Sequence, residues 1–142
     1  MRVQIALNVS NLEESIAYYS KLFHTTPHKI KPGYANFAIN QPPLKLVLIE
    51  NVNAKERVNH LGVEVNQDED LPGIIDRLDT AQLTDSKEQE AVCCYAAQNK
   101  AWSIEPDGIH WEWYTITDDN PENAPQLKQG ICCASSSNTN CS

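Results

Sequence analysis

Two adjacent cysteines, Cys93 and Cys94, open the segment CCYAAQ. Neighbouring Cα atoms lie about 3.8 Å apart, which is below the roughly 4.4 Å at which disulfides normally begin. We therefore expect these two sulfurs to resist bonding to each other. Two thiolates that converge on one soft centre form a chelate that a single cysteine cannot, and Cu(I), Cd(II), Zn(II) and trivalent arsenic are such centres. The alternative is that the pair is simply buried, because free cysteine is among the most buried residue types.

An internal repeat predicts the elements that position this pair. The segment RVNHLGVEV aligns with MRVQIALNV, so that His60 falls 56 residues after Gln4. A helical pattern follows each copy, over residues 12–23 after Asn11 as N-cap and over residues 71–83 after Asp70 as N-cap. Strand-like segments then follow at 34–39 and 44–50 in the first half and at 93–98, 101–104 and 110–116 in the second. The second set implies turns at Asn99-Lys100 and at residues 105–108.

The order strand, helix, strands thus occurs twice and predicts an α+β fold. We expect one domain over residues 1–117, made of tandem βαβββ modules at 1–55 and 56–117 that form one curved mixed sheet around a metal-binding cleft. Residues 118–142 lack periodicity and are rich in Asn, Ser and Pro, which predicts a flexible tail. That tail contains Cys132, Cys133 and Cys141.

Alternation along the strands brings three polar side chains to the same side of the sheet. One face of the first strand carries Gln4 and Ala6, and the repeat carries His60 and Gly62 in the same way. In the last strand Glu112 lies opposite two tryptophans. On a curved sheet these polar residues would meet on the hollow side, where the small residues leave room. Alternation would also point the two adjacent cysteines to opposite faces, so we expect them at an irregular strand end.

Gln4, His60 and Glu112 are candidate metal ligands. An imidazole, a carboxylate and an amide oxygen resemble in kind the 2-His-1-carboxylate triads of oxygen-using Fe(II) enzymes. The neutral amide gives a weaker field, so the site should admit Fe(II), Mn(II), Co(II), Ni(II) or Zn(II), which the sequence does not rank. Each residue taken singly also has an ordinary explanation, as a solvated strand residue or a hydrogen-bonded core histidine. The symmetry between Gln4 and His60 favours the ligand interpretation.

Composition limits the partners and the compartment. The chain has 142 residues, 19 acidic against 11 basic side chains and a formal net charge of −8, which argues against nucleic acid or anionic membrane as a partner. No apolar stretch approaches the roughly 18 residues of a membrane span, and the N-terminus lacks a signal-like apolar run. Five cysteines fit no secreted disulfide framework and favour a reducing, cytoplasmic location.

The duplicated pattern, with candidate ligands on the first and fifth strands and the segment EPDGIHWEWY near the end, resembles the vicinal oxygen chelate (glyoxalase/bleomycin resistance/dioxygenase) superfamily. A finer match is with the organoarsenical carbon–arsenic lyases and the related cadmium-induced proteins of bacteria. It rests on the segments QIALNVSNLEESIAYYSKLF, KPGYANFAI, PPLKLVLIEN, NHLGVEV and CCYAAQNKAW. The resemblance covers residues 1–117, and KPGYANFAI with the cysteine pair is specific to that subgroup.

This resemblance implies a function. It implies Fe(II) held by Gln4, His60 and Glu112, and arsenic captured by the thiols of Cys93 and Cys94. The implied reaction is the O2-dependent cleavage of trivalent organoarsenicals such as methylarsenite to arsenite, by a non-haem iron dioxygenase-type lyase. Glyoxalase-type members carry a fourth ligand, a Glu on the fourth strand, which residues 44–49 do not provide. The implied three-ligand site leaves room for dioxygen and substrate.

Two other functions stay open. The chain could be another glyoxalase-like or thiol-transferring metalloenzyme, although the missing ligand and the cysteine pair argue against it. It could also bind Cd(II) or arsenite without turnover, a role that the tail thiols would suit. The tail cysteines inherit no role from the resemblance, and we expect either a monomer or a homodimer.

Overall fold

The structure is a computed structural model that describes residues 1–67 and 69–122. Eight strands and two helices follow one another along this part of the chain. In order they are β1 (Arg2–Val9), α1 (Leu12–Leu22), β2 (Lys29–Lys31), β3 (Tyr34–Ile39), β4 (Leu44–Glu50), β5 (Val58–Glu64), α2 (Leu71–Thr80), β6 (Ser86–Cys93), β7 (Ala96–Ile104) and β8 (His110–Asp118). None of these helices is long and apolar enough to cross a membrane, within the residues that the structure describes.

The strands form one mixed sheet in the order β2-β3-β4-β1-β5-β8-β7-β6. Strand β1 runs parallel to β4, and β5 runs parallel to β8, while β1 and β5 are antiparallel. The sheet therefore consists of two equivalent four-stranded halves that meet along β1 and β5. This arrangement confirms the predicted α+β fold with a duplicated strand-helix-strands unit.

The pairing of β1 with β5 reflects the sequence repeat. Gln4 lies opposite Gly62, and Ala6 lies opposite His60. The offset of the repeat makes Gln4 equivalent to His60 and Ala6 equivalent to Gly62. Gln4 thus faces the equivalent of Ala6, and Ala6 faces the equivalent of Gln4. An approximate two-fold axis between the strands produces this exchange.

The same equivalence extends to the strands that flank this central pair. Ala6 of β1 lies beside Val47 of β4, and Gly62 of β5 lies beside Glu112 of β8. Val47 and Glu112 therefore occupy corresponding places in the two halves of the sheet.

Both helices pack on the outer face of the curved sheet and leave the inner face to the polar residues. Side chains of α1 cover apolar residues of β1, β3 and β4, and side chains of α2 cover the outer face of β5 and β8. The predicted N-caps are confirmed, since Asn11 Oδ1 accepts from the backbone N–H of Glu14 at 3.0 Å and Asp70 Oδ1 accepts from that of Gly73 at 2.8 Å.

The strand boundaries of the second half differ from the prediction. The predicted turn at Asn99-Lys100 is wrong, because β7 continues through both residues and Lys100 is buried and paired with β8. The turn lies instead at Cys94-Tyr95, where β6 ends and β7 begins. Strands β2 and β6 were not predicted. Helix α2 ends at Thr80, before the predicted 83, as the backbone turns left-handed at Gln82 (φ 58°).

The chain after β8 is described only as far as residue 122. Strand β8 reaches Asp118, and Asp119 pairs with Lys29 of β2. The rest of the predicted tail, with Cys132, Cys133 and Cys141, lies outside the described residues.

Candidate metal and thiol site

Three strands bring the predicted metal ligands together on the inner face of the sheet. Gly62 lies beside Gln4 on one side and beside Glu112 on the other, and His60 projects from β5 two residues away. His60 Nε2 lies 3.1 Å from Glu112 Oε1 and 3.0 Å from Gln4 Nε2, and Gln4 Nε2 lies 2.5 Å from the same carboxylate oxygen. All three side chains are buried.

Gly62 is the residue that lets the three side chains approach. A Cβ atom at this position would lie 2.7 Å from Glu112 Cγ and 2.8 Å from the Glu112 carbonyl oxygen. These separations are shorter than ordinary non-bonded carbon contacts. Any residue larger than glycine would push the carboxylate away from Gln4 and His60.

The donor atoms of this group fit a cation. The amide N–H groups of Gln4 point toward His60 Nε2 and Glu112 Oε1. The lone pairs of these two atoms therefore converge on the electron-poor amide hydrogens of Gln4. The amide nitrogen itself is only a donor, so Gln4 would bind a metal through Oε1, which here accepts from the Tyr114 hydroxyl. Over residues 1–67 and 69–122 no three His, Cys, Asp or Glu side chains cluster as metal ligands, so the amide completes the set.

A chain of side-chain hydrogen bonds fixes the tautomer of His60. His60 Nδ1 lies 2.8 Å from Asn59 Oδ1, Asn59 Nδ2 donates to Asn8 Oδ1 at 3.0 Å, and Asn8 Nδ2 donates to the Glu56 carbonyl at 2.9 Å. Because the Glu56 carbonyl can only accept, both amides are oriented and Asn59 presents its oxygen to the ring. His60 therefore carries its proton on Nδ1 and a lone pair on Nε2, the atom that faces Glu112.

The Glu112 carboxylate is ionised in this buried setting. Burial alone would raise the pKa of Glu112, but the Lys100 ammonium and the hydrogen bond from the Gln4 amide lower it below its ordinary value. Burial alone would likewise lower the pKa of Lys100, but the nearby carboxylate raises it above its ordinary value. Lys100 Nζ lies 3.3 Å from Glu112 Oε2. One carboxylate oxygen is thus held by Lys100, while the other faces His60 and Gln4.

The two cysteines lie at a tight turn at one end of the same cavity. Cys93 ends β6 and pairs with Ala96, and the two residues between them have left-handed backbone, with φ of 52° at Cys94 and 63° at Tyr95. Two consecutive positive φ values define a type I′ hairpin turn. The sulfurs lie 3.4 Å apart, well beyond the roughly 2.05 Å of a disulfide bond. Both cysteines line the cavity that Gln4, His60 and Glu112 also line.

Contacts with the opposite edge of the sheet hold this turn in place. The Tyr95 ring lies 5.4 Å from the Tyr34 ring, and the Tyr95 hydroxyl donates to the Pro32 carbonyl at 3.2 Å. Lys29 Nζ donates to the Tyr95 carbonyl at 3.0 Å and binds Asp119 at 2.8 Å. The turn between β6 and β7 therefore meets the β2–β3 hairpin across the cavity.

The cavity is small and its lysines are neutralised. Its enclosed volume is about 20 Å³, enough for about one water molecule, so a larger ligand must displace lining side chains. Three lysines line it, and each is paired with a carboxylate, at 2.8 Å for Lys29 with Asp119, 3.1 Å for Lys45 with Glu64 and 3.3 Å for Lys100 with Glu112. These paired charges favour a neutral ligand over an anion.

Sequence reasoning did not predict the residues that support the ligand set. Lys100 on β7 and Lys45 on β4 occupy inward-facing positions, yet an isolated lysine in a strand is normally solvated. Asn36 and Gln98 were likewise not singled out, although both line the cavity. The available signal was their alternation with apolar neighbours in β3 and β7.

Comparison with known proteins agrees with this fold. Residues 2–113 match the Glyoxalase/Bleomycin resistance protein/Dioxygenase superfamily. Over 119 residues the chain is 51% identical to the cadmium-induced protein CadI of Mycobacterium tuberculosis, covering 84% of this chain and 78% of that protein. Over 133 residues it is 46% identical to a trivalent organoarsenical cleaving enzyme of Thermomonospora curvata, covering 93% of this chain and 87% of that protein.

A solved structure of a superfamily member from Vibrio splendidus superposes with a TM-score of 0.56 at 13% identity, covering 80% of this chain and 97% of that one. At this identity the likeness concerns the fold alone. The resemblance that the sequence motifs indicated is confirmed by the family match and by the two relatives. The chain belongs to the glyoxalase/bleomycin resistance protein/dioxygenase superfamily.

Proposed function

We propose that this protein cleaves the carbon–arsenic bond of trivalent organoarsenicals such as methylarsenite and releases arsenite, with Fe(II) and dioxygen. The observation that carries the proposal is the presence of two adjacent sulfurs and a three-donor N,O set in one cavity. The relative named as a trivalent organoarsenical cleaving enzyme, at 46% identity, supports the same reaction.

In this proposal Cys93 and Cys94 bind the arsenic atom. Bonds of about 2.3 Å, as for zinc to sulfur, would join one atom to sulfurs 3.4 Å apart at close to a right angle, which suits the pyramidal geometry of trivalent arsenic. Two-point attachment fixes the direction of the third substituent on arsenic. The organic group is then positioned toward Gln4, His60 and Glu112, which converts an encounter into an oriented reaction.

Gln4, His60 and Glu112 would hold the metal, which when bound supplies redox and Lewis-acid chemistry for dioxygen. The protein prepares this set through fixed hydrogen bonds. Asn59 keeps His60 Nε2 unprotonated, and Lys100 holds the second oxygen of Glu112. The Trp102 ring packs edge-on against His60 with centroids 5.4 Å apart and closes the wall of the cavity.

Reconstitution with Fe(II) under anaerobic conditions tests the proposal. We expect loss of methylarsenite and formation of arsenite only after oxygen is admitted. Protein reconstituted with Zn(II), which has no redox chemistry, is the matched control and should bind the substrate without cleaving it. Equal turnover without oxygen, or with Zn(II), would contradict the proposed reaction.

The roles of the two sulfurs are tested separately. Cys93→Ser and Cys94→Ser should each abolish tight binding of trivalent organoarsenicals to reduced protein, because a single thiolate cannot chelate. Titration followed by tryptophan fluorescence measures the binding, and circular dichroism checks the fold. Cys141→Ser is the matched control and should bind as the parent does. Parent-like affinity in either Cys93→Ser or Cys94→Ser would remove that residue from the site.

A second function is binding of Cd(II) or arsenite without turnover. The 51% identity to a protein named for its induction by cadmium favours this alternative. It predicts stoichiometric Cd(II) binding that depends on both cysteines, and no arsenite formation under any metal or oxygen condition. The reconstitution experiment therefore separates the two functions.

A further inference from the structure

Two buried amide oxygens in the cavity have no hydrogen-bond donor. Asn36 on β3 and Gln98 on β7 are 2% and 7% exposed, and both line the cavity. Over residues 1–67 and 69–122, Asn36 Oδ1 and Gln98 Oε1 lack any partner. The Asn36 amide nitrogen donates to the Tyr34 hydroxyl at 2.9 Å, which leaves its oxygen directed away from that contact. Buried acceptors of this kind normally meet a donor, so these two point to a ligand.

The two amides line the same cavity as the cysteine turn and the candidate metal ligands. The Tyr34 ring packs against the Tyr95 ring of the cysteine turn, and Asn36 follows Tyr34 by two residues on the same face of β3. On β7, Gln98 lies two residues beyond Ala96 and four residues before Trp102, which is paired with Glu112. A ligand that reaches from the sulfurs toward the candidate metal ligands therefore enters the cavity that both amides line.

The charges around the amides select the kind of ligand. Lys29, Lys45 and Lys100 are all paired with carboxylates, so none of the three is an unpaired cation that would hold an anion such as a pentavalent arsonate. It offers two acceptors to a neutral molecule with two donors. A trivalent arsonous acid, R–As(OH)2, is neutral near pH 7 and carries two hydroxyl groups on one atom.

We propose that Asn36 and Gln98 form a docking site that accepts hydrogen bonds from the two arsenic hydroxyl groups of an arsonous acid before the sulfurs capture it. This inference rests on the proposed function. In reduced protein, where both cysteines carry S–H groups, the capture step breaks two As–O and two S–H bonds and forms two As–S and two O–H bonds. Two water molecules leave, and no atom changes its oxidation state. An arsenical whose arsenic carries two sulfur substituents has no such hydroxyl groups and gains nothing from the amides.

The rate of capture tests this docking site. Phenylarsonous acid and its cyclic dithiothreitol adduct are mixed with reduced, metal-free protein without oxygen, and the fluorescence change of the buried tryptophan is followed by stopped flow. We expect Asn36→Leu and Gln98→Leu each to slow capture of the free acid about fivefold, the loss of one hydrogen bond. Capture of the adduct should keep the parent rate. Asn99→Leu, on the same strand but outside this cavity, is the matched control.

Two results would overturn the inference: an unchanged rate with the free acid, or equal slowing of the free acid and the adduct, which would mean that the variants deform the cysteine turn. Thermal unfolding identifies variants that fail to fold, and for these the milder Asn36→Ser and Gln98→Ala variants give the same comparison. This capture assay contains no metal and no oxygen, so its result does not depend on cleavage. If the protein captures arsenicals here but fails to cleave them in the reconstitution experiment, the proposed reaction is contradicted and this inference stands.

Discussion

The positions of the candidate metal ligands Gln4, His60 and Glu112 depend on neighbouring residues that are not themselves candidate ligands. Gly62 provides the space beside Glu112, and Asn59 fixes the protonation of His60. Such supporting residues commonly change metal affinity by roughly 10- to 100-fold when they are replaced. Two substitutions test them separately.

Replacing Gly62 with Ala should displace the Glu112 side chain, because the added methyl carbon would lie 2.7 Å from Glu112 Cγ. We expect Gly62→Ala to lower the free energy of unfolding by about 1–3 kcal/mol, as overpacked cores do, and to weaken Fe(II) binding. Denaturant unfolding and competition with a chelator measure the two effects. Parent-like metal affinity in a folded Gly62→Ala protein would show that Glu112 is not a ligand.

Asn59 offers a pair of variants that separates hydrogen bonding from bulk. Asn59→Leu removes the acceptor for His60 Nδ1–H and should reduce metal affinity roughly tenfold or more. Asn59→Asp keeps an oxygen at this place and should bind metal nearly as the parent does. The nitrogen chemical shifts of the His60 ring report its tautomer directly. A protonated Nε2 in the parent protein would contradict the assignment.

At the scale of elements, the turn between β6 and β7 is the feature that the sequence conceals. Alternation in β1 and β5 was predictable, because polar and apolar residues separate cleanly onto the two faces. A type I′ turn is normally recognised in a sequence by Asn-Gly or Asp-Gly, whereas here Cys94 and Tyr95 adopt the left-handed backbone. Asn99 carried a false turn signal inside β7. Local residue preferences were overruled by contacts across the cavity.

The contacts that hold the turn between β6 and β7 can be weakened by a substitution in β2, at the other edge of the sheet. Lys29→Met removes the hydrogen bond to the Tyr95 carbonyl and the ion pair with Asp119. We expect faster amide hydrogen exchange at the turn over residues 93–96, with little change in the central strands. Lys31→Met on the same strand is the matched control. Unchanged exchange at the turn would show that the tyrosine contact alone holds it.

At the scale of the whole molecule, an ion-pair group joins three strands of the two halves. Glu64 of β5 binds Arg2 of β1 at 2.8 Å and Lys45 of β4 at 3.1 Å. Burial alone would raise the pKa of Glu64, but the charges of Lys45 and Arg2 lower it below its ordinary value. The unfolded chain has the ordinary glutamate pKa of about 4.3, so it takes up this proton first as the pH falls.

The stabilisation from Glu64 is therefore complete above about pH 4.3 and is lost as the pH falls through the lower folded-state value. We expect the midpoint of thermal unfolding to drop between pH 5 and pH 3. Glu64→Gln should be less stable at pH 6 and should show a shallower drop. Parallel curves for the two proteins would mean that other carboxylates dominate the pH dependence.

Much of the molecule was predictable because the sequence repeats itself. The repeat and its alternation gave both helices, the central strands and the grouping of Gln4, His60 and Glu112. The repeat could not predict that Lys100 and Gln98 line the cavity, since their burial depends on pairing between strands far apart in sequence. The short strand β2 has only three residues, too few for a periodic pattern.

The two-fold arrangement of the sheet has a consequence for how such a site could arise. In two identical copies of one half, every inward position would occur twice, either as two glutamines beside two valines or as two histidines beside two glutamates. This chain instead has Gln4 in one half where the other half has His60, and Val47 where the other half has Glu112. Only a duplicated chain whose halves have diverged can combine one amide, one imidazole and one carboxylate. The valine therefore leaves the group without the second carboxylate that two identical halves would have placed there.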